Sequence, residues 1–344
     1  MIKVTIAGAT GFTGSELVRL LLNHPEVSLS AITSETHKGK RFSQIHPQFE
    51  GICDMVLRSA EEIDQWDTDL CFLALPHRVS MAYVKRWKDK SFNIIDLSGD
   101  YRLSSARVYT QWYDKEHDTP ELVPQVPYGL PELYRHQLKG APLIANPGCF
   151  PTASLLALAP LLKETDLVDP SGIIIDAKTG LTGAGVKSSP VTHFSNVHDN
   201  FKAYGLKFHR HTIEIEEILG QTGKTQVTVQ FTPHLLPTDR GILVTAYARP
   251  LKAMSQDHLD RIFQQFYKDE PFIRLRHHAP DLKGVRGTNL CDIFATWDQR
   301  TGNIVVVSAL DNLVKGAAGL AIQNMNVMYQ IEETSGLHAI PLQP

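Results

Sequence analysis

The chain has 344 residues, 42% hydrophobic and 21% charged, with a formal net charge of -3. That length holds two domains with a core each. The charge leaves no electrostatic footprint for nucleic acid or an anionic membrane, and no apolar run is as long as a membrane span. The four cysteines, Cys53, Cys71, Cys149 and Cys291, are far apart and form no CxxC pair. This argues against a disulfide framework or a zinc site and fits a reducing compartment. Residues 1–6 run straight into a strand, leaving no room for a signal peptide. The expectation is a soluble, cytoplasmic α/β chain.

Residues 2–7 are β-branched and read as a strand, followed by the glycine turn Gly8-Ala9-Thr10-Gly11-Phe12-Thr13-Gly14 and a helix that ends near His24-Pro25. Strand, glycine turn and helix form the first unit of a dinucleotide fold. The glycines let backbone approach a pyrophosphate held at the helix N-terminus. The spacing G-x-x-G-x-x-G is a variant of the usual fingerprint. Residues 27–32 read as the second strand, and the loop after it, Thr33-Ser34-Glu35-Thr36-His37-Lys38-Gly39-Lys40-Arg41, is where a ribose would be read. A carboxylate there selects NAD, whereas small hydroxyls and cations suit the 2′-phosphate of NADP. Ser34, Lys38, Lys40 and Arg41 favour NADP; Glu35 keeps NAD open.

Residues 69–75 are continuously apolar after Asp69, as in a buried parallel strand. They end at Pro76 in a loop on the carboxyl edge, where such sheets bind ligands. Residues 92–98 form the next strand, and Arg102 lies in the loop beyond it, where an arginine suits a phosphoryl or carboxylate group or a surface ion pair. Residues 113–134 read as an irregular connection.

A further strand end leads to Asn146-Pro147-Gly148-Cys149-Phe150-Pro151-Thr152. Pro147 and Gly148 force a turn that puts Cys149 at the N-terminus of an apolar helix. Backbone N–H groups there favour a thiolate and an oxyanion on a carbonyl attacked by it. A buried structural cysteine is the alternative. Residues 173–178 read as a strand entering a second glycine loop that contains Gly183. No βαβ unit surrounds this loop, so it serves close backbone approach to nicotinamide or substrate. Residues 226–231, 241–248 and 302–309 look like long strands of a mixed or antiparallel sheet, in a second domain that begins near Cys149. Residues 312–325 read as a helix of small residues returning to the first domain.

A cysteine nucleophile needs a proton acceptor, and histidine is the usual one. In Phe208-His209-Arg210-His211-Thr212, Thr212 reads as an N-cap, with acidic residues in the first turn beyond it. In an extended lead-in, His209 and His211 point to one side. No third ligand at metal spacing follows, so no metal is expected.

The glycine turn at residues 8–14, the string around Cys149, the loop to Gly185, His209-Arg210-His211, Pro233-His234-Leu235-Leu236-Pro237 with Arg240-Gly241-Ile242, and Lys315-Gly316-Ala317-Ala318-Gly319 occur in this order. Together they resemble the N-acetyl-gamma-glutamyl-phosphate reductases of arginine biosynthesis over nearly the whole chain. The departures are Phe12 and Phe150 where tyrosine is common, Ile213 where proline is common, and Val186-Lys187 where arginine is common. The resemblance implies a Rossmann-type dinucleotide-binding domain, residues 1–148 with a C-terminal helix at 312–344. It also implies an α+β catalytic and oligomerisation domain, residues 149–311, of the semialdehyde dehydrogenase/glyceraldehyde-phosphate dehydrogenase-like type.

By the same resemblance, Cys149 attacks a small acyl phosphate, and His211 or His209 is the acid/base. His211 is favoured because related semialdehyde dehydrogenases carry their histidine just before a helix cap. Arg102 and Asn146 hold phosphate, Lys178, Glu214 and Arg240 line the substrate, and Asn312 holds the nicotinamide amide. Gly8, Thr10, Gly11, Phe12, Thr13, Gly14, Ser34, Lys40, Pro76 and Gly183 contact NADP, and the protein is a homodimer or homotetramer. The rivals are a relative acting on aspartyl or carrier-bound aminoadipyl phosphate, and a catalytically silent NADP-binding regulator. Retention of Cys149 and both histidines speaks against the regulator.

Overall fold

The computed structural model describes residues 1–342, the side chain of Asp64 excepted. The chain packs as two compact units, one of Met1–Pro147 with Ala317–His338, the other of Gly148–Gly316 with the tail from Ala339. Among the described residues no helix is long and apolar enough to cross a membrane.

The first unit is built on five strands: β1 (Ile2–Ala7), β2 (Val27–Ile32), β3 (Leu70–Leu73), β4 (Asn93–Asp96) and β5 (Leu143–Ala145). All pair in parallel in the order β2-β1-β3-β4-β5. In this order the chain reverses direction across the sheet between β1 and β3, and ligands bind at the carboxyl ends of such a pair. The loops leaving β1 and β3 meet there: a Cβ on Gly8, whose φ is +89°, would lie 2.4 Å from the Ala74 carbonyl oxygen. All four residues of β3 are buried, as in parallel strands covered on both faces.

The helix Gly319–Met328 returns to this unit and is buried at every residue. Its polar members are therefore partnered. Asn324 Nδ2 donates to Gly129 O and to Asn146 Oδ1, and Gln323 Nε2 to Glu132 and Glu333. The expected helix from residue 312 is shorter than read: a π-turn spans Val314–Ala318 and regular helix begins only at Gly319.

The second unit carries β6 (Ile173–Thr179), β7 (Lys202–Ala203), β8 (Val229–Leu235), β9 (Ile242–Ala248), β10 (Ile273–Leu275), β11 (Cys291–Asp298) and β12 (Asn303–Leu310). They form one mixed sheet in the order β10-β11-β12-β9-β6-β8-β7. β8 runs past its expected end, through Pro233. The Pro233 carbonyl accepts from Tyr204 N, so its nitrogen, on the same side of the strand, faces the two-residue edge strand β7. The missing N–H thus costs the β6 ladder nothing.

The helix Cys149–Lys163 lies on this sheet against β9 and β12 and also packs on the helix His211–Gly223. It is apolar all round and almost wholly buried. Pro160 in its interior removes the N–H that would bond the Leu156 carbonyl; the Tyr267 hydroxyl donates to that carbonyl instead. On the opposite face Ile174 is exposed, and burial alternates along β6, β9 and β12.

Candidate active site

In the second unit, Cys149 is the first residue of its helix and is half-buried. The turn before it is held by Glu214: Oε1 of this buried side chain accepts the Gly148 N–H at 2.8 Å. Pro151 brings no N–H, so the amides of the first turn are those of Cys149 and Phe150. Glu214 is thus a brace between the Cys149 turn and the first turn of the His211 helix. Gly316 closes the other side, since a Cβ there would come within 2.9 Å of the Cys149 Cβ.

His209 and His211 pack edge-on around the ring that follows the cysteine. Their centroids lie 5.7 Å and 6.0 Å from that of Phe150 and 4.9 Å from each other. Tyr204 and Phe231 complete the box, at 5.5 Å and 5.4 Å from His209. Thr212 is not the cap: His211 is already helical, and Thr212 N bonds His209 O. The two histidines differ electrically. Burial, and after it the Arg210 charge, pushes His209 down to about 4, and its Nδ1 accepts the His211 N–H. His209 is therefore neutral near pH 7. Burial, and after it the charge of Cys149, pushes the Tyr204 hydroxyl above its ordinary range. Tyr204, Phe231 and Gly316 had no assigned role in the sequence; only Gly316 sat within a recognised string.

The other expected residues of this unit lie on the sheet and its loops. Lys178 lies on the open face of the sheet, its ammonium 3.0 Å from Asp176 Oδ1, while the Cys149 helix covers the other face. Strand alternation decides this, because Ala177 and Thr179 point inward. Asn312 is buried as a brace, its Oδ1 accepting Gly241 N and its Nδ2 donating to Thr182 Oγ1, so its amide is committed within this unit. Gly183 sits in the short helix Leu181–Ala184 beside it, 3.8 Å from Asn312 Nδ2 if a Cβ is added. Arg240 reaches the fully buried Asp311 at 3.4 Å and is 24% exposed.

In the first unit the glycine turn has the form a pyrophosphate requires. No side chain caps the helix Phe12–Leu21, whose N-cap is Gly11, and a Cβ on Gly14 would stand 2.2 Å from Gly8 O. Thr10, Gly11, Phe12 and Thr13 are half-buried along it. Thr10 Oγ1 and Ser34 Oγ are hydrogen-bonded at 2.9 Å, and Lys40 is exposed. These residues fit a dinucleotide.

The loop from Pro76 is pinned by Asp100, which accepts Arg78 N at 2.8 Å, Met81 N at 3.2 Å and the Tyr109 hydroxyl at 2.9 Å. Arg102 and Asn146 are also hydrogen-bonded within this unit. The Arg102 guanidinium donates to Asn146 O and Leu97 O at 2.8 and 2.7 Å. The Asn146 amide is taken by Asn324 and Ala317 O.

A parallel sheet with a glycine turn, and a cysteine–histidine box on a mixed sheet, define an oxidoreductase of the semialdehyde dehydrogenase class. Its NAD binding domain model matches residues 3–141 and its dimerisation domain model residues 149–312. Aspartate semialdehyde dehydrogenase II of Vibrio cholerae, solved as a complex with ASA, superposes with a TM-score of 0.73 at 16% identity, covering 95% of this chain and 98% of that one. The Candida albicans enzyme solved with NADP gives 0.68 at 16% identity, over 95% and 98%. N-acetyl-gamma-glutamyl-phosphate reductases of Desulforudis audaxviator and Pelotomaculum thermopropionicum are each 46% identical to this chain. They cover 98% and 100% of it, and 98% and 99% of their own lengths are matched. The chain belongs to the N-acetyl-gamma-glutamyl-phosphate reductase family.

Proposed function

We propose that this chain reduces N-acetyl-gamma-glutamyl phosphate to N-acetyl-glutamate semialdehyde with NADPH, releasing phosphate, in arginine biosynthesis. The observation that carries the chemistry is Cys149 at a helix N-terminus beside a histidine pair, in a chain of this family. His211 takes the thiol proton as sulfur attacks the acyl carbon. The carbon–oxygen bond to phosphate breaks, phosphate leaves, and a thioester to Cys149 remains. The bound nicotinamide supplies the hydride for the thioester carbon. Amides of the Cys149 turn stabilise the resulting oxyanion. Its collapse breaks the carbon–sulfur bond and frees the aldehyde; the thiolate recovers its proton from His211, and phosphate takes one from solvent. His209, neutral and low in basicity, orients His211 through its backbone. Arg240, steadied by Asp311, receives the substrate carboxylate.

NADP is the cofactor, supported by Ser34, Lys40 and Arg41 after β2. The open sheet face, with Ile174, Tyr247, Val305 and Val307 aligned across β6, β9 and β12, supports pairing with a second copy. The biosynthetic names of the relatives support a cytoplasmic location.

The reverse reaction tests the whole reading. NADP, phosphate and N-acetyl-glutamate semialdehyde are supplied, and NADPH absorbance is followed, with aspartate semialdehyde and NAD in parallel. Phosphate-dependent NADPH formation from the acetylated aldehyde is expected. Activity on the aspartyl compound instead moves the chain to a sister substrate, and silence with NADP still bound favours a regulator.

A further inference from the structure

Glu35 stands in the loop after β2, where an acidic side chain ordinarily binds the free ribose hydroxyls of NAD. Its carboxylate is committed elsewhere. Oε2 accepts from Ser59 Oγ at 2.9 Å and Oε1 accepts the Ala60 N–H at 2.7 Å. Ala60 is the first residue of the short 3-10 helix Ala60–Gln65, and buried Ser59 is its N-cap, its Oγ also accepting Glu61 N. A carboxylate is well placed at that amino end.

The donors are brought there by backbone pairing. Arg58 N bonds Ile32 O at 3.0 Å, Ser34 N bonds Arg58 O at 3.0 Å, and Gly39 N bonds Leu57 O at 2.8 Å. Residues 57–59 therefore run beside the extension of β2 and draw Glu35 toward them. On the glycine-turn side of the same loop remains the Ser34 hydroxyl, bonded to Thr10, and further along the loop the side chains of Lys40 and Arg41 are exposed. Lys38 is paired with Glu62.

We infer that Ser59, with the Ala60 N–H, is a latch that determines cofactor specificity by withdrawing Glu35 from the ribose 2′ position. Withdrawal removes the acceptor that would reward the 2′-hydroxyl of NAD. It also removes a negative charge that would repel the 2′-phosphate of NADP, so one set of hydrogen bonds acts on both cofactors in the same direction. The inference rests on the NADP reading above. Ser59 is a positioning residue, acting only through Glu35.

The test compares kcat/KM for NADPH and NADH in the full-length enzyme and its variants, with Tm as a folding control. Ser59→Ala removes one donor. Ala60→Pro removes the other at a first helical position, where proline is accommodated and where the extended Ser59 already has a suitable backbone (ψ 139°). The NADPH-to-NADH ratio is expected to fall roughly tenfold in Ser59→Ala, the scale of one charge-assisted hydrogen bond, and further in the double variant. Ser59→Thr keeps the wild-type ratio. Adding Glu35→Ala to Ser59→Ala restores it, which a general loosening of the loop would not do. A folded Ser59→Ala/Ala60→Pro enzyme with the wild-type ratio overturns the latch alone. A wild type without preference for NADPH overturns the latch and the cofactor reading together.

Discussion

In the five-stranded sheet β3 is buried at all four residues, whereas β6 in the seven-stranded sheet alternates buried Ile173, Ile175, Ala177 and Thr179 with Ile174, Asp176 and Lys178. The first sheet is wound in parallel and covered on both faces, so its chemistry is confined to the carboxyl edge, where Gly8 meets Ala74. The second is mixed, with helices on one face only. Its covered face carries the Cys149 helix, and its open face is the surface proposed above to pair with another copy of the chain. The same amphipathic logic thus yields a ligand edge in one unit and two functional faces in the other.

The covered face is broken hardest at the nucleophile. Cys149→Ser should lower kcat more than about a thousandfold in the NADPH-formation assay, while NADP binding, read by fluorescence titration, stays within about twofold. Retained turnover would remove the covalent step. Next come the histidines. His211→Asn should cost about 10² to 10⁴ in kcat and His209→Asn distinctly less, so a larger loss at His209 would exchange their roles.

His209 also gives the second unit a pH signature. Its pKa in the folded protein is depressed to about 4 by burial, so below its ordinary value near 6.5 the unfolded chain binds the extra proton. Stability should be full above that value and decline as pH falls toward 4. Urea titrations at several pH values would show the decline in the wild type and its reduction in His209→Asn.

The open face is sharpened by charge. Val307→Asp should weaken self-association about a hundredfold, with Tm measured at low protein concentration little changed; an unchanged sedimentation profile would take this face out of the interface. The smallest effect is expected under the Cys149 helix. Tyr267→Phe orphans the Leu156 carbonyl beneath Pro160 and should cost about 1–3 kcal/mol of stability, with kcat of the folded enzyme retained.

Local signals carried much of the fold. The β-branched run of β1, the glycines at 8, 11 and 14, and the continuous apolar run of β3 each describe a requirement of their own backbone. Pro147-Gly148 before an apolar run likewise marked the turn at Cys149. Boundaries were less legible. The expected end of β8 missed Pro233, because its tolerance depends on a two-residue partner strand about thirty residues away. Thr212 has the chemistry of an N-cap, yet the helix starts one residue earlier, at His211.

Side-chain commitments were the least legible part of the site. Arg102, Asn146, Glu214 and Asn312 are residue types that suit a ligand, and each also bonds a backbone group far away in sequence. Glu35 is the same case in reverse, a carboxylate whose type suggested NAD and whose partners point away from it.

By itself the sequence determined the elements, the helix start at Cys149 and the kinship, because strand period, glycine turns and helix starts are set by neighbours along the chain. Only the tertiary structure decided which polar groups remain for chemistry. Most buried donors and acceptors are paired, and the partner is chosen by the fold rather than by proximity in sequence.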